Sequence, residues 1–184
     1  GNGIKRWLTL PLVLLRAFGQ SISLIRQYQP AVVAGFGGYT AFPAGMMAAG
    51  RAAEAGAWVL LLEKMERPGK KILVSGKTRC NLTNTRELRD FIAMYGPGGP
   101  FLQAAFHRFF REDLLNLLQR YGLETKAERG GRVFPVSDRA EDVVGAFRRW
   151  LDEGQVELLI QQRVFSLAHE EGRITGVMTA TGLL

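Results

Sequence analysis

The chain has 184 residues, 47% hydrophobic and 22% charged, which is ordinary for a globular protein and enough for one hydrophobic core or a core and a half. Its one cysteine, Cys80, excludes an internal disulfide and fits a reducing compartment. Lys and Arg outnumber Asp and Glu by 24 to 17, and the resulting charge of +7 suits an anionic ligand, a phosphate-rich cofactor or an acidic membrane surface as well as a plain solvated surface.

The first apolar run, Trp7–Leu15, is closed by Arg16, well short of the roughly 20 residues a membrane span needs. The chain opens Gly1-Asn2-Gly3 without a Met and stops just after a predicted strand, so both ends are expected to be cut from longer proteins. Pro11 suits the first turn of a helix reaching Tyr28, and Leu8, Leu12, Leu15 and Phe18 recur at helical spacing beside Lys5, Arg6 and Arg16. Ala31–Ala34 reads as a short buried strand, followed by the glycine turn Gly35-Phe36-Gly37-Gly38. Pro43 opens a small-residue helix that Gly56 ends. Trp58–Glu63 is an apolar strand finishing in an acid. Strand, glycine turn, helix and strand in this order form the unit of a parallel sheet with crossover helices.

A basic loop follows, holding Lys64, Arg67, Lys70, Lys71, Lys77 and Arg79. Helices are predicted over 85–94, 101–110 and 111–121, with Gly96–Pro100 as a break. Short strands are predicted over 123–128 and 132–134. Asp138 and Glu141 stand in capping-box register ahead of a helix running to Trp150. Residues 155–160, 163–169 and 173–179 read as strands, the last two joined through Glu170-Glu171-Gly172-Arg173.

Two features of this outline point to a dinucleotide. An acid at the end of the second strand, here Glu63, is placed to accept hydrogen bonds from ribose hydroxyls. Gly35, Gly37 and Gly38 supply a tight turn and close backbone approach, although the turn reads equally well as a plain strand-to-helix connection. Tyr39–Phe42 separates these glycines from Pro43, and that spacing predicts weak, salt-sensitive binding of a pyrophosphate. His107 and His169 have no metal-ligand company, no nucleophile–base pair is visible, and aromatics do not interleave with the basic run, so neither a metal nor a nucleic acid is expected. The catalytic residues stay unassigned.

More specific are the strings Pro43-Ala44-Gly45-Met46-Met47, Leu60-Leu61-Leu62-Glu63-Lys64, Pro68-Gly69-Lys70-Lys71 and Ser75–Asn84, with Gly131–Asp138 further on. Over about 140 residues, from residue 43 onward, the chain resembles the aminoacetone-oxidase-like (BaiN-like) FAD-binding flavoproteins. The resemblance implies an FAD-dependent oxidoreductase whose Rossmann-type domain carries a second, inserted domain. It implies that Glu63 holds the adenosine ribose, with Gly45 and Lys64 in the same binding segment. Lys71, Ser75, Gly76, Arg79, Cys80 and Asn81 would lie along the flavin side. Thr78 stands where many members have Gly, and Cys80, lacking a partner, reads as a buried family residue rather than half of a redox pair.

Upstream, Gly3-Ile4-Lys5, Pro11-Leu12, Tyr28, Pro30, Val32-Val33 and Gly35–Tyr39 resemble a different family, the peptidoglycan transferases that move N-acetylglucosamine from UDP onto lipid I (MurG). Ala41 replaces the Ser or Thr usual there. That resemblance implies a membrane-facing role for Leu8, Leu12, Leu15 and Phe18, giving weak contact with anionic lipid; the same stripe reads equally as core. The expected architecture is therefore α/β, a Rossmann-like parallel sheet with crossover helices plus a partial second α+β domain. It divides as 1–42 glycosyltransferase-like, 43–84 FAD-binding and 85–184 the rest of a truncated flavoprotein with the start of its inserted domain. The expected location is the cytoplasm, with peripheral contact at the inner face of the membrane if the stripe meets lipid. Alternatives are a glycosyltransferase-like fragment and a non-catalytic chimera.

Overall fold

The computed structural model describes residues 41–184. The predicted first helix, the strand at 31–34 and the glycine turn therefore lie outside the described residues. Those that are described divide into two compact units, one running to Arg163 and one formed by Val164–Leu184.

The larger unit is built round a helical stripe. In α1 (Ala41–Glu54), Met46, Ala49 and Gly50 are buried on one side. A left-handed Gly56 stops the helix, its N–H reaching Ala53 O at 2.9 Å while Ala57 N–H reaches Ala52 O at 3.0 Å. The helix is already formed at Ala41, so Pro43 lies within its first turn rather than opening it, where a missing N–H costs nothing. The predicted four-residue spacer after Gly38 is thus partly helix. β1 (Leu60–Leu62) follows and is narrower than the expected Trp58–Glu63 strand; Trp58 stands ahead of the ladder with 74% of its surface exposed. β1 pairs in parallel with β5 (Glu157–Leu159), Leu61 opposite Leu158. Parallel pairing demands a crossover, and the intervening chain supplies helices that cover the pair.

Chief among these is α6 (Ala140–Glu153), whose Ala140, Val143, Ala146, Phe147, Trp150 and Leu151 are all buried at three- and four-residue spacing. It packs on α1 and on the short α2 (Lys70–Val74). The helix does not start as expected. Arg139 occupies the cap position with no side-chain cap bond, and Asp138, at φ 57°, turns its carboxylate to Arg79 and Lys126 instead. Charge-assisted pairs at two cations outcompete one bond to a backbone N–H.

Between α2 and α6 the chain makes β2 (Thr83–Asn84), α3 (Leu88–Ala93), α4 (Gly99–Arg108), α5 (Arg111–Arg120), β3 (Thr125–Ala127) and β4 (Arg132–Pro135). β4 is the centre of an antiparallel sheet in the order β2–β4–β3. α4 begins two residues earlier than expected because Pro100 fits its first turn. Phe91, Phe106 and Phe110 clasp edge to face where α3, α4 and the start of α5 meet, with centroids 5.2–5.7 Å apart.

The smaller unit is a meander of β6 (Val164–Glu170), β7 (Arg173–Thr179) and β8 (Gly182–Leu183), all antiparallel. Its first turn carries Glu171 at φ 47° and Gly172 at φ 76°, the two left-handed residues a two-residue hairpin loop prefers, as the sequence predicts. His169 lies exposed on β6, and His107 lies exposed on α4. Among the described residues no helix is long and apolar enough to cross a membrane.

Candidate functional site

Glu63 leaves the carboxyl end of β1, where ligands of open parallel sheets bind. Its position is fixed from both sides: its N–H donates to Leu159 O at 2.9 Å and its carbonyl accepts from Gln162 N–H at 2.9 Å. Its Oε1 accepts the N–H of Met65 at 2.9 Å, and its other oxygen has no partner among the described residues. A half-buried carboxylate, oriented by one bond and open at the second oxygen, is suited to accept a hydroxyl.

The neighbouring predicted residues take different places. Lys64 is exposed beside Glu63, and Lys71 is half-buried on α2. Gly45 is on the α1 face toward β1, where an added Cβ would lie 4.0 Å from Leu61 Cδ1, an ordinary contact. Packing among the described residues therefore does not itself require glycine there. Gly69 is different: sequence reasoning did not single it out, yet it precedes α2 at φ 78° and a Cβ would come within 2.6 Å of Val144 Cγ2. Gly35, Gly37 and Gly38 lie outside the described residues.

Ser75 to Asn81 forms one compact loop. Ser75 Oγ donates to Ile72 O at 2.7 Å, and Cys80 N–H returns to Ser75 O at 3.1 Å. Gly76, Lys77, Thr78 and Cys80 all have left-handed φ, at 55°, 58°, 70° and 61°. Three of these are not glycine, so the loop holds strain that the surrounding structure must impose. A Cβ at Gly76 would sit 2.7 Å from the backbone nitrogen of Asn81 and 3.3 Å from Phe134 Cε1. The Asn81 N–H has no acceptor among the described residues, and the bare Cα of Gly76 keeps it open to close approach. Cys80 is 6% exposed, and burial pushes its thiol up despite a hydrogen bond with Ser75. It is a packed thiol, not a ready nucleophile.

Arg79 turns its side chain to two carboxylates and an aromatic ring. Its Nε and Nη2 donate to Asp138 Oδ1 at 2.9 and 2.5 Å, Nη2 also meets Glu128 Oε1, and the guanidinium lies over the Phe134 ring 4.2 Å from its centroid. Lys126 Nζ closes the cluster on the other Asp138 oxygen at 2.7 Å and stands 3.9 Å from Glu128. Two cations and two carboxylates from three segments are brought together.

The cluster carries a pH signature. Lys126 and Arg79 beside Asp138 hold its carboxyl below the usual carboxylate range, and Arg79 does the same for Glu128. Folded values below the unfolded ones mean that the stabilisation is complete above the unfolded values, about 3.9 for Asp and 4.3 for Glu. It is lost as pH falls through the lowered, folded values. Thermal melts should therefore show Asp138→Asn less stable than wild type at neutral pH, with the two converging on acidification below about pH 4. A constant difference in melting temperature from pH 7 to pH 3 would show that Asp138 acts through something other than charge.

A parallel strand pair with a helical crossover, and an acid at the strand's carboxyl end, define a Rossmann-type α/β protein. The chain belongs to the HI0933-like family, whose Rossmann-domain model it matches over residues 31–183. The match opens upstream of Pro43, so it takes in the strand and glycine turn assigned above to the transferase-like segment. Membership implies FAD as the cofactor.

Among curated proteins, the chain is similar to a ribosomal RNA dihydrouridine synthase of Escherichia coli (strain K12), 31% identical over 132 residues, covering 72% of this chain and 32% of that protein. It is also similar to a 3-dehydro-bile acid delta(4,6)-reductase of Clostridium scindens, 36% identical over 111 residues, covering 60% and 26%. A separate similarity over 49 residues, 57% identical, links 27% of this chain with 13% of a UDP-N-acetylglucosamine–N-acetylmuramyl-(pentapeptide) pyrophosphoryl-undecaprenol N-acetylglucosamine transferase of Burkholderia lata. The chain spans about a third or less of the length of these relatives.

Proposed function

We propose that the chain is part of an FAD-dependent oxidoreductase, with Glu63 holding the adenosine ribose and the Ser75–Asn81 loop along the flavin side. FAD, when bound, supplies the redox chemistry, and the protein's part is to bind and orient it. The observation that carries this reading is Glu63: an oriented carboxylate with one open oxygen at the carboxyl end of a parallel strand, in a chain of this family. Residues 43–84 then form the main FAD-binding segment, with Gly45, Lys64 and Lys71 beside it, and the glycine turn at Gly35, Gly37 and Gly38 is the pyrophosphate cradle. Ser75, Gly76, Cys80 and Asn81 serve through backbone groups and small size, since Gly76 leaves the Asn81 N–H approachable. Family membership and the lone, buried Cys80 support a cytoplasmic setting.

Residues 1–42 are a transferase-like piece joined to this flavoprotein part. The 49-residue similarity to N-acetylglucosamine transferases favours that origin and leaves a glycosyltransferase-like or non-catalytic fragment as the second reading.

Titration of the apo-protein with FAD tests the main reading. Glu63→Ala should weaken binding by roughly 1.5–3 kcal/mol, the worth of hydrogen bonds to a charged group. Equal affinity for wild type and variant would remove Glu63 from the site, and no binding by either would leave the fragment reading.

A further inference from the structure

We infer that Arg79 is a positioning residue, which holds the Ser75–Asn81 loop in its cofactor-binding shape by anchoring it to Glu128, Asp138 and Phe134 rather than by touching the cofactor. This inference rests on the flavin reading above and reassigns one residue within it.

The loop cannot be expected to hold its own shape. Lys77, Thr78 and Cys80 are at φ 58°, 70° and 61°, a region that side chains with a Cβ avoid at a cost of about 1–2 kcal/mol each. Local hydrogen bonds are few: Ser75 O receives the N–H of Cys80, Gly76 O receives that of Arg79, and Thr78 Oγ1 bonds only to its neighbour's carbonyl. Arg79 is the one residue of the run from Gly76 to Cys80 with an ordinary φ, −95°, and it sends its side chain across to β4 and the segments flanking it. Three of its contacts are spread over three segments. Glu128 follows β3, Asp138 precedes α6, and Phe134 is buried on β4 at 3% exposure. The stacking matters because the Phe134 ring also lies 3.3 Å from where a Gly76 Cβ would be. One ring therefore sets both the position of Arg79 and the clearance at Gly76.

The donors of the guanidinium also argue against direct cofactor contact. Nε and Nη2 are engaged with carboxylates, and the flat face is on the ring. Turning this group to a pyrophosphate would leave Glu128, among the described residues, with only the longer 3.9 Å pair to Lys126. It would also release the strained loop that the cofactor needs. Lys126 completes the arrangement by holding the second Asp138 oxygen at 2.7 Å, so that the anchor for Arg79 is itself fixed.

The test compares the arginine with its partners. FAD affinity is measured by titration for wild type, Arg79→Met, Arg79→Lys, the double variant Glu128→Gln with Asp138→Asn, and Arg79→Met combined with that pair. Trypsin cleavage after Lys77 in the absence of FAD reports the loop directly. If Arg79 positions the loop, Arg79→Met and the carboxylate pair each weaken FAD binding by about tenfold or more, the combination is no worse than either, and trypsin cuts faster in all three. Arg79→Lys, which keeps the charge but loses the fork, restores only part of the affinity. If Arg79 instead contacts FAD, Arg79→Met loses affinity while the carboxylate pair keeps it, which overturns the inference. Unchanged cleavage at Lys77 in every variant overturns it as well. Wild type that fails to bind FAD sinks the flavin reading and this inference with it, a result distinct from wild type that binds and variants that bind equally.

Discussion

Trp150→Ala is expected to cost about 3–5 kcal/mol of folding stability, the range for removing a buried large aromatic. Trp150 is 2% exposed at the centre of the α6 stripe. Its ring lies against Gly50 of α1 so closely that a Cβ there would be 2.4 Å from two ring carbons, and it lies tilted by 48° against Phe147, centroids 6.5 Å apart. Its Nε1 donates to Glu54 Oε1 at 2.9 Å, so the polar edge of the ring is satisfied where α1 ends. Truncation leaves a cavity between the two helices and removes that bond. The complementary substitution, Gly50→Ala, should be destabilising alone by roughly 1–3 kcal/mol through overpacking. In the Trp150→Ala background the added methyl enters the cavity, and most of that cost should vanish. Urea unfolding of the four proteins measures this coupling. Additive losses would mean that α1 and α6 do not meet at these two residues.

The coupling between Gly50 and Trp150 also marks where the sequence was legible and where it was not. The stripe of α6 could be read because a buried helix face repeats at three and four residues, and Gly56 could be read as a stop because only glycine is at ease at that φ. The β6–β7 hairpin was readable for the same kind of local reason, its Glu171-Gly172 turn. Features set by distant partners were not readable. Asp138 has the type and the spacing of a helix cap, yet its carboxylate goes to Arg79, 59 residues away, and to Lys126. Trp58 has the character of a buried strand residue and is exposed, because the ladder with β5 is only three residues long. Within the candidate site, the position of Glu63 was identifiable because a strand end is a local feature. The structural need for Gly69 was missed, since it arises only when Val144 of α6 packs over it. Arg79 was recognised as belonging to the loop by resemblance, while the direction of its side chain depends on two carboxylates that no spacing rule connects to it.

Two substitutions in the same loop should move stability in opposite directions. Gly76→Ala is expected to lose roughly 2–5 kcal/mol, and Thr78→Gly to gain up to about 1 kcal/mol. At Gly76 the φ of 55° costs a residue with a Cβ roughly 1–2 kcal/mol, and the 2.7 Å approach to Asn81 N adds an overpacking term of about 1–3 kcal/mol. The obstacle is backbone, so it cannot swing aside as a flexible side chain would. At Thr78 the argument reverses. A β-branched residue is held at φ 70° on an exposed stretch, and glycine removes that strain. Part of the gain, about 0.5–1 kcal/mol, is returned because glycine loses more backbone freedom on folding. Chemical denaturation of both variants gives the signs, and FAD titration adds a second readout. The Gly76 methyl would cover the Asn81 N–H and should lower FAD affinity beyond what instability explains, whereas Thr78→Gly should leave affinity equal or improved. A stable Gly76→Ala with wild-type FAD affinity would mean that the loop does not hold this left-handed shape. A destabilised Thr78→Gly would mean that the threonine makes contacts worth more than the strain it bears.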